Sequence, residues 1–129
     1  MGVEILLVED DEDSAEMMTD FLESHGYSTA WVGSGRLAVE LVRKRRLSSE
    51  PAPALILLDL TLPDLEGTEV VDALKSDDGE ALPPIVVASA RPDDEIKRAA
   101  IRIGAAAFAR KPFSLEQMLQ TIDDVIRRP

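Results

Sequence analysis

There is no cysteine anywhere in the 129 residues. Disulfides, thiolate metal ligands and a cysteine nucleophile are thereby excluded. Histidine occurs once, as His25, so a bound metal must draw on oxygen ligands or on that single imidazole. No apolar run approaches the length of about 18 residues that a membrane span needs, and no basic leader precedes an apolar stretch with a small-residue cleavage site. A cytoplasmic protein without membrane insertion is expected. Positive charge is also in short supply: 14 Lys plus Arg stand against 25 Asp plus Glu, a formal charge of −11. Such a surface repels a polyphosphate backbone, so direct nucleic-acid binding is not expected.

What is present is an apolar fraction of 45%, enough for one ordinary core. A single domain over 1–129 is expected, with no linker, no repeat and no output domain in this chain. Five short apolar tracts, at 3–9, 28–32, 54–59, 84–89 and 106–109, look like strands covered on both faces. Between and after them lie segments with helical spacing, carried by Met17, Met18, Phe21 and Leu22; by Leu37, Ala38, Leu41 and Val42; and by Val70, Val71 and Leu74. Ile96, Ala99, Ala100 and Ile103 mark the fourth helix; Leu115, Met118, Leu119, Ile122 and Ile126 mark the fifth.

Asp13 with Glu16, and Ser114 with Gln117, have capping-box spacing, while Gly26 and Gly104 stand where helices should stop. Polar loops are expected in RKRRLSSEPAP and SDDGEALPP, and Tyr27 and Trp31 are expected to pack. His25, beside Gly26, is expected to serve a helix end. Strands alternating with helices imply a parallel α/β sheet with right-handed crossovers and helices on both faces.

In such a sheet all strands end at one edge, and ligands bind outside their carboxyl ends. That edge collects Glu9, Asp10 and Asp11 after the first strand, Asp59 after the third, Ser89 after the fourth and Lys111 after the fifth. Asp11, Glu12 and Asp13 are expected to solvate a loop. The remaining carboxylates repel one another unless a cation is bound, and oxygen-only ligation favours Mg²⁺. With a lysine and a hydroxyl they make a phosphoryl site, the phosphate being either a ligand's or an acyl phosphate on Asp59.

Four stretches, LLVEDD at 6–11, LLDLTLPDLEG at 57–67, VVASA at 86–90 and FARKPF at 108–113, resemble the receiver domains of two-component response regulators. The resemblance covers essentially the whole chain. It implies a five-stranded doubly wound sheet of order 2-1-3-4-5 with five helices, the flavodoxin-like arrangement. It implies that Asp59 accepts a phosphoryl group from a sensor histidine kinase or a histidine phosphotransfer protein. Mg²⁺ would be held by Asp10, Asp59, the backbone carbonyl of Thr61 and, through water, Glu9, while Lys111 neutralises phosphoryl charge.

Ser89 and Phe108 match the switch pair, Ala90 a small residue that leaves access, and Pro112 a position preceded by a cis bond. Each has a plainer competitor: Ser89 as a strand-end hydroxyl, Phe108 as ordinary core. The sequence departs from the family in having Ser89 where Thr is commoner, and Arg91 two residues on. Arg91 is either a solvated rim charge or a modulator that reaches or screens the phosphoryl group. Ala105, Ala106 and Ala107 stand where charge-laced dimers carry acids, so a monomer or weak dimer is expected. The chain is then a stand-alone receiver or one joined to an output domain, acting on a downstream protein target. No enzymatic activity beyond its own phosphotransfer and dephosphorylation is expected. Two alternatives are a Mg²⁺-dependent aspartyl-phosphate hydrolase, which would want an acid where Thr61 stands, and a receiver-like module that is not phosphorylated.

Overall fold

The tracts richest in Val, Leu and Ile become the three central strands in a computed structural model that describes residues 3–77 and 81–128. The elements are β1 (Val3–Val8), α1 (Glu12–Ser24), β2 (Tyr27–Val32), α2 (Gly35–Leu47), β3 (Leu55–Asp59), α3 (Gly67–Lys75), β4 (Ile85–Ser89), α4 (Asp93–Ile103), β5 (Ala107–Arg110) and α5 (Leu115–Arg127). All four strand pairings are parallel, and the order is β2-β1-β3-β4-β5. Every expected strand and helix is present. The polar loop expected over 76–84 and the closing IRRP lie partly outside the described residues.

Strand side chains alternate between faces, and here both faces are apolar. Ile5, Leu7, Leu55, Leu57, Val86 and Ala88 pack with Leu22 of α1 and Met118 and Ile122 of α5. Leu6, Val8, Ile56, Leu58, Ile85 and Val87 pack on the other side with α2, α3 and α4, through Val42, Val71 and Ile96 among others. This places α1 and α5 on one side and the remaining helices opposite. Some periodic positions face outward instead of inward: Met17 is 60% exposed and Leu37 43%.

The caps correct several sequence expectations. Asp11, expected in a solvated loop, is the N-cap of α1 and accepts from the Ser14 amide at 2.9 Å. Asp13, expected to cap, lies inside the first turn, where its charge suits the helix dipole. Ser114 does cap α5, accepting from the Gln117 amide at 3.0 Å. Gly26 and Gly104 hold φ of +92° and +71°, the left-handed geometry that stops α1 and α4.

The RKRR of the expected loop instead forms the last turns of α2. Cations suit a helix C-terminus, and these find acids: Arg43 and Arg46 pair with Asp77, and Arg45 with Glu4. His25 is the C-cap of α1, its ring 4.5 Å from that of Phe21, in keeping with the helix-end role expected of it.

Candidate phosphoryl site

Residues two apart on a strand share a face, and this simple period assembles the site. Glu9 follows Leu7, Asp59 follows Leu57 and Lys111 follows Ala109, each one step beyond an inward residue on the α1 and α5 side. The Lys111 ammonium donates to Glu9 Oε1 at 2.7 Å and to Asp59 Oδ2 at 2.8 Å. Glu9 and Asp59 are both only 7% exposed. Burial alone would lower the Lys111 pKa, but the hydrogen bonds to Asp59 and Glu9 outweigh it and hold the pKa above its ordinary value.

The other carboxylate oxygens are also bonded. Asp59 Oδ1 accepts from the Thr61 amide at 2.9 Å, and Glu9 Oε2 from the Asp11 amide at 3.1 Å. Asp10 is exposed, and one carboxylate oxygen from each of Glu9, Asp10 and Asp59 lies within 4.8 Å of the others. Hard oxygen donors, so close together and offset by only one lysine, fit a divalent cation such as Mg²⁺. A cavity of about 450 Å³ opens beside them, lined by Met17, Met18, Ala88, Ala90 and Phe113 as well as Glu9 and Asp59.

The loop after Asp59 is pinned from several sides. A side chain at Gly67 would put its Cβ 2.5 Å from the Asp59 carbonyl oxygen, so α3 can start here only with glycine. Asp64 caps α2 from this loop, accepting from the Gly35 and Arg36 amides at 2.9 Å each. Those bonds, the Arg36 one foremost, hold its carboxyl below the usual range.

The structure thus brings Glu9, Asp10, Asp59 and Lys111 together, while the Ser89 and Phe108 side chains make no hydrogen bond to them. Ser89 is fully buried, and its hydroxyl accepts from the Arg91 amide at 3.1 Å. Phe108 is not core: it is 43% exposed and borders a recess with Lys97, Ala100 and Ile101 of α4. Pro112 does follow a cis bond.

Arg91 is not a freely solvated charge. Its Nε donates to Thr61 Oγ1 at 3.1 Å, and its Nη2 pairs with Glu66 and reaches the Leu60 carbonyl at 3.4 Å. The Thr61 side chain therefore has a partner that no local spacing signalled. Trp31, expected to pack, is 44% exposed, and its indole donates to the Glu9 carbonyl at 2.7 Å.

Parallel topology, a crevice at the carboxyl edge, clustered acids and an opposing lysine define a doubly wound α/β domain with a charged site at its carboxyl edge. The chain belongs to the response regulator receiver domain family, whose model matches residues 5–123. It is 35% identical to the DNA-binding response regulator MtrA of Mycolicibacterium smegmatis, over 99% of this chain and 52% of MtrA. It is 33% identical to the polar-differentiation response regulator DivK of Brucella anthropi, over 95% of this chain and 94% of DivK. Among solved structures it is similar to the chemotaxis protein CheY4 of Vibrio cholerae, with a TM-score of 0.83, 25% identity, and coverage of 97% of this chain and 99% of that one. The chain spans about half the length of its MtrA relatives. Receiver domains of this family work in phosphorylation-dependent two-component signalling, and none of the described helices is long and apolar enough to cross a membrane.

Proposed function

We propose that this chain is one receiver domain over 1–129 that takes a phosphoryl group onto Asp59 from a phosphohistidine, on a sensor histidine kinase or a histidine phosphotransfer protein in the cytoplasm. The observation that carries this is the Asp59 carboxylate, buried at a sheet edge with Lys111 at 2.8 Å and two further acids alongside. In the transfer, an Asp59 oxygen forms the new O–P bond as the P–N bond breaks, and the imidazole nitrogen leaves with the electron pair. Glu9, Asp10, Asp59 and the Thr61 carbonyl would hold Mg²⁺, which supplies charge neutralisation for the phosphoryl oxygens.

Lys111 already bonds one Asp59 oxygen and is placed to follow the charge onto the phosphoryl group. The Ser89 hydroxyl exchanges the Arg91 amide for that group, and Phe108 and α4 respond, altering the face offered to a downstream protein or a linked output domain. Hydrolysis breaks the same O–P bond with water and resets the domain; no outside substrate is turned over.

Acetyl phosphate with Mg²⁺, followed by intact mass, tests the reading. One phosphoryl group should add to wild type and none to Asp59→Asn. Steady turnover of diverse phosphate esters would point to a hydrolase, and an unlabelled wild type to a module that is not phosphorylated.

A further inference from the structure

The carbonyl at the end of β1 is where the chain leaves the ladder and turns into the acidic loop. Its partner there is a side chain, the Trp31 indole N–H at 2.7 Å. Glu9 is held at every other polar group too: its amide donates to the Val32 carbonyl at 3.1 Å, and its carboxylate bonds the Lys111 ammonium and the Asp11 amide. The Glu9 carbonyl belongs to the peptide plane that joins Glu9 to Asp10. Fixing its oxygen fixes that plane, and hence the direction in which Asp10 leaves toward the other acids.

We infer that Trp31, on the edge strand β2 and outside the acid cluster, is a positioning residue for the cation site, acting through the Glu9–Asp10 peptide. This rests on the proposal that Glu9, Asp10 and Asp59 hold Mg²⁺. Trp31 touches no cation itself. Trp31 is 44% exposed yet spends its one donor on this carbonyl, and a phenyl ring, which has no N–H, could not orient the peptide.

The test is Mg²⁺ binding by calorimetry on the whole chain, comparing wild type, Trp31→Phe and Thr29→Val. Thr29 lies on the same strand and donates to Glu23 at 2.7 Å, so its variant loses a β2 hydrogen bond that does not reach Glu9. Trp31→Phe should bind Mg²⁺ about three- to tenfold more weakly, the worth of one net hydrogen bond. Thr29→Val should bind as wild type does. Equal affinity in Trp31→Phe, or equal weakening in Thr29→Val, overturns the inference while leaving the Mg²⁺ site standing. A wild type that binds no Mg²⁺ overturns both.

Should Trp31→Phe not fold, the wild type still decides. It has one tryptophan, hence one indole N–H resonance. That resonance should shift during the Mg²⁺ titration with the calorimetric midpoint; an unmoved resonance overturns the inference.

Discussion

The two edges of the sheet are built differently. Along β2, alternate residues Tyr27, Thr29 and Trp31 each donate a hydrogen bond to another element: Asp123 of α5, Glu23 of α1 and the Glu9 carbonyl after β1. Along β5, among the described residues, no side chain makes a hydrogen bond, and the strand is entered through Ala105 and Ala106. Phe108 stands 43% exposed on it, beside Ile101 of α4 at 71%. One edge is laced to its helices by directional bonds from its own side chains; the other has none from β5 itself, only Arg128 at the α5 C-cap donating to the Ala106 carbonyl at 3.3 Å. Under the proposed function, the difference would separate the side that helps orient the acids from the side that responds to phosphorylation. Between the edges, β3 is buried at every residue and delivers Asp59.

The widest gap should appear in truncations. Leu58→Ala, in fully buried β3, should cost about 2–5 kcal/mol, whereas Phe108→Ala on the half-exposed edge should cost about 1 kcal/mol or less. Urea unfolding measures both, and equal losses would mean that β5 is as firmly packed as the centre. Lys111 is the one place where the loose edge reaches the chemistry. Lys111→Met should therefore slow labelling by acetyl phosphate about a hundredfold, as loss of a charge-stabilising donor does.

The laced edge has its own signature in alkali. Burial and the hydrogen bond to Asp123 push the Tyr27 hydroxyl up to about 12. Because the folded value lies above the unfolded one of about 10, Tyr27 stabilises fully below pH 10, and the contribution is lost as pH rises through about 12. Tyr27→Phe should be less stable than wild type at about pH 9 by about 1 kcal/mol or less, since screening discounts a partly exposed group. The gap should close between pH 10 and 12, as read by urea midpoints. The smallest effect is expected at Arg91, which ties the loop after β4 to the loop after β3. Arg91→Ala should raise phosphoaspartate hydrolysis about threefold, roughly one hydrogen bond's worth, measured by decay of the labelled mass.

Most of the architecture was legible because its signals are local. Apolar tracts of strand length, helical spacing and two glycine stops place every element, and the strand ends alone bring Glu9, Asp59 and Lys111 to one edge. Less legible were features whose partners are distant in sequence. Arg91 meets Glu66 and Thr61 across separations of 25 and 30 residues, and Trp31 meets Glu9 across 22. No spacing rule reports an indole that replaces a ladder amide. At α1 the difficulty was degeneracy: Asp11 and Asp13 both have capping chemistry, and only the backbone, with Asp11 extended and its carboxylate on the Ser14 amide, decides between them. The α2 tail read as a loop because its four consecutive cations reveal nothing of Asp77 and Glu4, which neutralise three of them.

Phosphorylation at Asp59, as proposed, should be felt at the unlaced edge and not at the laced one. Amide hydrogen exchange in the constant presence of Mg²⁺, with and without beryllofluoride, a phosphoryl mimic, tests it directly. Exchange should change from Ala90 through Arg110, spanning α4 and β5, while Tyr27–Val32 of β2 stays as it was. Equal change in β2 and β5, or change confined to the residues touching Asp59, would contradict it.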